Sequence, residues 1–279
     1  MKRKRITRKT IALTITAVAA GVLFGIWQNN DLMVSSYEFY TDKIGTGFDG
    51  YRIVHISDLH NKKFGKNQSR ILNVMREQKP DIIVITGDIV DGFRTKVEVA
   101  LEFVSGAVKI APVYYVSGNH ELLLSTEELS LLLDGIKTAG ATILDNRATY
   151  IQRKEESLYL IGVNDGSNTD RLKNILNTLD TQGNLRILLA HRPEHIDSYS
   201  ENKIDLVFSG HAHGGQVRLP FIGGLVAPEQ GLFPKYTAGK YVLGETAMII
   251  SRGLGNSIIP IRVFNRPDIV VTVLKAITN

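Results

Sequence analysis

Seven side chains along this 279-residue chain could together hold two divalent cations. Asp58 and His60 come first, then Asp88, Asn119, His191, and finally His211 with His213. All offer oxygen or nitrogen, and the chain has no cysteine, so thiolate ligands are excluded. Imidazole and carboxylate donors suit Mn2+, Zn2+ or Fe2+/Fe3+. Two such ions about 3.5–4 Å apart can clamp a phosphoryl group during in-line displacement by an activated water. If the backbone is extended, side chains at i and i+2 point the same way, so Asp58 and His60 can reach one ion. Asp88 follows Gly87 and is placed to bridge, because a carboxylate has two oxygens to share. Asn119 offers a neutral amide oxygen. His211 and His213 can serve one ion each, and His191 completes the second site. His120 directly follows Asn119 and is poorly placed to chelate the same ion. It reads as a general acid or phosphate-binding imidazole, oriented by Asp91.

Singly, each residue has a plainer reading. An aspartate at a strand end is usually a turn or cap, and a lone histidine is usually a polar residue half out of water. Jointly they form one ordered series that uses five of seven histidines. His55 lies inside a strand and reads as core; His195, beside Pro193, reads as a loop residue and not a ligand.

Each donor follows an apolar, strand-like run. Strands are expected at Tyr51–Ser57, Asp81–Thr86, Val113–Ser117, Ala141–Leu144, Thr149–Gln152, Leu158–Val163, Arg186–Ala190, Leu206–Ser209, Val217–Leu219, Ala247–Ser251 and Ile269–Leu274. Helical periodicity marks Lys66–Gln78, Lys96–Ile110, Glu127–Ala139 and Arg171–Leu179. Strand and helix alternate in the first half, which favours parallel pairing with crossover helices. Ligands of such sheets sit in loops beyond the carboxyl ends of strands. Residues 30–49 are expected to be a linker before a domain spanning 50–279. In the Gly-rich stretch 221–241, Phe221, Leu225, Phe233 and Tyr236 could cradle an apolar substrate portion or simply pack on one another.

Residues 1–29 differ in kind. Lys2, Arg3, Lys4, Arg5, Arg8 and Lys9 precede an uncharged run, Ile11–Trp27. Removing those six from 33 basic residues leaves 27 against 28 acidic ones, so the body is near neutral and no nucleic-acid partner is expected. As a helix the 17-residue run would be roughly 25 Å long, at the short end of a bilayer span. Basic residues stay cytoplasmic, which would put the body outside, at the cell membrane. A cleaved signal peptide at Ala17-Val18-Ala19 is the rival, leaving a secreted or wall-bound protein.

Asp58-Leu59-His60, Gly87-Asp88-Ile89-Val90-Asp91, Gly118-Asn119-His120-Glu121, Ala190-His191 and Gly210-His211-Ala212-His213 resemble the signature of the calcineurin-like metallophosphoesterases. The resemblance covers roughly residues 50–275. It implies an α/β fold, a four-layer αββα sandwich of two mixed sheets flanked by helices, with a dinuclear metal site. By motif position it assigns Asp58, His60, Asp88 and His213 to one ion and Asp88, Asn119, His191 and His211 to the other. His120 with Asp91 would be the catalytic dyad. Two departures matter. Ser117 and Gly92 stand where the family's protein phosphatases carry phosphate-gripping arginines, which argues against a phosphoprotein substrate. The stretches 214–220, 228–236 and Gly253-Leu254-Gly255-Asn256 resemble the bacterial membrane- or wall-associated branch, including phosphodiesterases acting on UDP-diacylglucosamine-type lipids.

The chain therefore reads as a metal-dependent phosphoester hydrolase, acting on a diester or pyrophosphate that is envelope-borne or lipid-linked. The alternatives are a non-catalytic metal-binding scaffold of the same fold and a nucleotide or nucleic-acid phosphodiesterase.

Overall fold

A computed structural model of the chain describes residues 7–166, 169–178, 183–256 and 260–277. Lys2, Arg3, Lys4 and Arg5, and Leu179 at the end of an expected helix, lie outside the described residues. In chain order the elements are α1 (Arg8–Asn30), β1 (Met33–Thr41), β2 (Arg52–Ile56), α2 (Ser69–Glu77), β3 (Ile82–Thr86), α3 (Val97–Ala107), β4 (Val113–Val116), α4 (Thr126–Ala139), β5 (Thr142–Ile143), β6 (Arg147–Arg153) and β7 (Glu156–Val163). There follow α5 (Thr169–Asn177), β8 (Leu185–Ala190), α6 (Ile196–Glu201) and β9 (Leu206–Ser209). Two short hairpins come next, β10 (Arg218–Leu219) with β11 (Gly223–Gly224) and β12 (Val226–Ala227) with β13 (Gly231–Leu232). The chain closes with β14 (Gly239–Leu243), β15 (Thr246–Ile250) and β16 (Asp268–Ala276).

Two six-stranded mixed sheets stack face to face. Their orders are β1-β16-β2-β3-β4-β5 and β14-β15-β9-β8-β7-β6. Strands β2 to β5 pair in parallel, as the strand–helix alternation demands. In β2 and β3 nearly every residue is buried, because both sheet faces are covered. One face of the first sheet packs Val54, Ile83 and Tyr115 under Met75 of α2, Phe103 of α3 and Ile136 of α4. Its other face meets the second sheet through Ile53, Val84 and Val116 against Leu160, Leu189 and Phe208. Leu188, Val207 and Met248 then pack under α5 and α6 through Leu172 and Tyr199. This is the expected four-layer sandwich. Local signals cooperate: Ser125 and Glu128 form a capping box that starts α4, and Gly140, at φ 100°, ends it.

The linker expectation for 30–49 needs correction. Met33–Thr41 forms β1, paired in parallel with all nine residues of β16 at the edge of the first sheet. Its side chains alternate between exposed ones and inward-facing ones that are half-buried at first and buried at Phe39 and Thr41, so it carries no continuous apolar run to betray it. Strand β14 and the six-residue α6 also escape sequence patterning, being an alternating edge strand and a short helix.

Helix α1 is 23 residues long, roughly 35 Å at about 1.5 Å per residue. Its apolar stretch is long enough to cross a membrane, and none of that stretch is buried against the body.

Candidate metal centre

The carboxyl ends of β2, β3 and β4 from one sheet and β8 and β9 from the other converge at one edge of the sandwich. Ser57 and Asp58 leave β2, Gly87 and Asp88 leave β3, Gly118 to His120 follow β4, His191 follows β8, and Gly210 and His211 follow β9. All seven proposed donors are brought together there, and the aspartates and histidines among them are buried.

They form two groups that meet at one atom. Nε2 of His60 lies 3.3 Å from Nε2 of His213 and 3.6 Å from Oδ2 of Asp88. Oδ1 of Asp58 is 3.6 Å from Nε2 of His213. In the second group, Nε2 of His191 lies 3.2 Å from the same Asp88 Oδ2, 3.1 Å from Oδ1 of Asn119 and 3.2 Å from Nδ1 of His211. Ligand bonds of about 2.1 Å in a tetrahedron give edges of about 3.4 Å between donors, so both groups fit one cation each. Asp88 joins them, but not through both oxygens as its sequence position suggested. Oδ1 accepts a hydrogen bond from the His120 backbone N–H at 2.8 Å, leaving Oδ2 facing both groups.

The backbone is also not the extended segment that the i, i+2 spacing evoked. Asp58, His60, Asp88, His211 and His213 all adopt left-handed conformations, with φ between 45° and 65°. Such residues cost of order 1–3 kcal/mol each and need surrounding structure to hold them. Here the 58–61 segment is laced to 87–89: the N–H groups of Asp58, His60 and Asn61 donate to the carbonyls of Gly87, Asp88 and Ile89. The loops touch so closely that a β-carbon at Gly118 would strike the Asp88 carboxylate, and one at Gly210 would strike Ser57 and Asp58.

Glu121, which ligand counting passed over, braces the turns that carry the donors. It is fully buried, and its carboxylate accepts from the N–H groups of Asp88, Ile89 and Gly118 at 2.7–2.9 Å. Burial and then the Asp88 charge push its carboxyl up to about 7. Its place in the Gly-Asn-His-Glu block was the available signal.

The electrostatics suit cations. Burial alone would raise the Asp88 carboxyl, but His191, His60 and His120 hold it well below the usual carboxylate range. Burial would likewise lower His191, yet Asp88 and Asp58 push it up to about 10. Nδ1–H of His191 donates to the Thr86 carbonyl at 2.6 Å, fixing the ring with Nε2 toward the donors. At His211, Nδ1 faces the group and Nε2 sits 2.5 Å from Glu229, whose other oxygen pairs with Arg192 at 3.2 Å. Arg192 is braced bidentately by Asp165 at 2.6 and 2.9 Å. Neither Glu229 nor Arg192 was singled out from sequence, although Glu229 lies in the 228–236 stretch. A cavity of about 300 Å3 opens beside His191, lined by Asp165, Arg192 and Tyr199. His195 sits exposed on it, outside both donor groups. His55 is buried in β2, its Nε2 2.8 Å from the Thr86 hydroxyl.

His120 and Asp91 are neighbours but not a hydrogen-bonded pair. Nδ1 of His120 is 3.8 Å from Asp91 Oδ1 and instead accepts from the Gly92 N–H at 3.0 Å. In the neutral ring the proton therefore sits on Nε2. Asp91 accepts from the Phe93 N–H at 2.9 Å and so shapes the loop that bears Gly92. Ser117 donates its hydroxyl to Asp145 at 2.6 Å, and no cation stands at its position or at Gly92. Of the aromatic cradle, Phe221 and Phe233 point outward and are exposed, whereas Tyr236 packs on Tyr241.

The family model for calcineurin-like phosphoesterases matches residues 51–215. The chain belongs to that family. It is 30% identical over 234 residues to phosphodiesterase YaeI of Escherichia coli, covering 81% of this chain and 82% of that one. The metallophosphoesterase YkuE of Bacillus subtilis is 29% identical across 95% of this chain and 94% of its own. A Danio rerio transmembrane protein with a metallophosphoesterase domain is 29% identical over 96% of this chain and 63% of its own. The crystal structure of TT1561 of Thermus thermophilus superposes with a TM-score of 0.51 at 12% identity, over 73% of this chain and 90% of that one, a likeness of fold alone. The protein is thus a metal-dependent phosphohydrolase, its fold built around a dinuclear divalent metal centre. Its apolar N-terminal helix and the transmembrane relative fit association with a membrane.

Proposed function

We propose that the protein is a membrane-anchored phosphodiesterase or pyrophosphatase whose substrate is envelope-borne or lipid-linked. The observation that carries the hydrolytic part is Asp88 Oδ2, shared between two imidazole-rich donor groups. Asp58, His60, Asp88 and His213 would hold one cation; Asp88, Asn119, His191 and His211 would hold the other. When bound, the two ions neutralise phosphate oxygens and acidify the attacking water. His120 presents its Nε2 proton to the departing oxygen, with Asp91 and Gly92 fixing the ring from the far side. Glu229 holds His211 in place, and Glu121 holds the Asp88 turn.

The choice of a diester rests on charge. A monoester dianion asks for more positive charge than a diester monoanion. Ser117 and Gly92 supply none, and Arg192 is already engaged by Asp165, Glu194 and Glu229. The name of the Escherichia coli relative, a phosphodiesterase, agrees. The lipid-linked part rests on α1, and the basic residues before it support a body on the extracytoplasmic side.

A substrate panel with Mn2+ tests the reading. Turnover of bis-p-nitrophenyl phosphate and of lipid-linked diesters or pyrophosphates should exceed that of a phosphoserine peptide and of p-nitrophenyl phosphate. Preference for the phosphopeptide would overturn it.

A further inference from the structure

The two hairpins that follow His213 carry large apolar side chains into the open. Phe221 and Ile222 form the turn of β10–β11 and are fully and 60% exposed; Leu232 and Phe233 end β12–β13 at 75% and 69%. Ile261 and Phe264 are exposed by more than half nearby in sequence to β16. Scattered exposed apolar residues need no explanation, but these are linked to one another and to α1. The Arg218 N–H donates to the Val263 carbonyl at 2.9 Å, tying the first hairpin to the 261–266 segment. The N–H of Leu225 donates to Val217 and that of Phe233 to Leu225, tying the second hairpin to the first.

That segment is in turn the dock for the C-terminal end of α1. Phe264 packs edge-on against Phe24 at 5.5 Å, and Arg266 lies over the Trp27 ring at 5.3 Å. The Asn265 N–H donates to Gln28, while its side-chain amide donates to the carbonyls of His213 and Gln216. The exposed apolar tips are thus linked, through the 261–266 segment, to an unburied, membrane-length apolar helix, and a single asparagine joins that helix to the backbone of a proposed metal ligand. Arg266 also donates to the carbonyls of Asp31 and Leu32, putting a cation where the helix leaves the apolar layer.

We propose that Phe221, Ile222, Leu232, Phe233, Ile261 and Phe264 dip into the same bilayer that α1 crosses, seating the metal-bearing edge of the sandwich on the lipid surface. The proposal rests on the reading of α1 as a membrane helix and sharpens the substrate class. A scissile phosphorus held at headgroup depth reaches the centre without leaving the membrane, whereas a soluble diester gains nothing from the seat.

The absence of native cysteine allows a direct test on the full chain. Phe221→Cys and Phe233→Cys are spin-labelled singly and reconstituted in phosphatidylcholine–phosphatidylglycerol vesicles. Leu13→Cys in α1 and Tyr150→Cys on β6 serve as lipid and water references. The ratio of oxygen to nickel-chelate accessibility at 221 and 233 should match Leu13 and exceed Tyr150 several-fold. A ratio like that of Tyr150 overturns the proposal, and so does low accessibility to both reagents, the mark of contact with another protein copy. If Leu13 itself reports water, the membrane reading of α1 falls along with the proposal. Turnover of bis-p-nitrophenyl phosphate by the same labelled samples reports the hydrolytic assignment separately, since neither substituted residue touches the donor groups.

Discussion

At the scale of single residues, the roles divide between atoms that face the cations and atoms that hold those atoms still. Glu229 belongs to the second kind: it grips Nε2 of His211 from a half-exposed position. Removing its charge should leave folding intact and loosen one ion. Glu229→Gln is expected to weaken metal affinity at that site by about 10–100-fold, read by calorimetric titration with Mn2+, with the thermal transition unchanged. The donors that the fold gathers were legible in the sequence because each is a rare type at a strand end, in one order. Glu229 was not, because a lone glutamate in a Gly-rich loop has no periodicity, and only the fold brings it across 18 residues to His211. The Asp91–His120 pairing is met in proximity, at 3.8 Å, without a direct hydrogen bond. Spacing announces proximity, but a backbone N–H at Gly92 competes for the same ring nitrogen.

Among elements, the centre depends on turns that the apolar pattern cannot describe. Strands β2, β3, β4, β8 and β9 were readable as runs rich in Ile, Val, Leu, Tyr and Phe. The left-handed turns beyond them were not, since non-glycine residues rarely adopt that conformation unaided. Glu121 supplies much of the aid. Glu121→Ala would leave the buried N–H groups of Asp88, Ile89 and Gly118 without their acceptor. At about 1–3 kcal/mol for each unsatisfied donor, the loss should be at least about 3 kcal/mol. For a domain of this size that lowers Tm by at least about 6 °C, measured by calorimetry. A shift near zero would show that the turn does not need the clamp.

For the whole molecule, the boundary of the folded body lies before residue 50. Strand β1 covers the nine-residue, largely buried β16. A chain starting at residue 50 would expose that apolar edge, an invitation to aggregate. Residues 31–279 should keep a cooperative thermal transition while 50–279 should be insoluble or lack one. The alternating, half-polar face of β1 made it look like a tether, yet it completes the first sheet and ties α1 to the body. Above all, one measurement bears on the two-cation centre. Metal-free full-length protein is titrated with Mn2+ while bound metal and turnover of bis-p-nitrophenyl phosphate are followed together. Activity should appear only as the stoichiometry approaches two, and Asp88→Asn, which alters the shared carboxylate, should bind fewer ions and lose more than about a hundredfold in turnover. Full turnover in metal-free protein, or in Asp88→Asn, would contradict it.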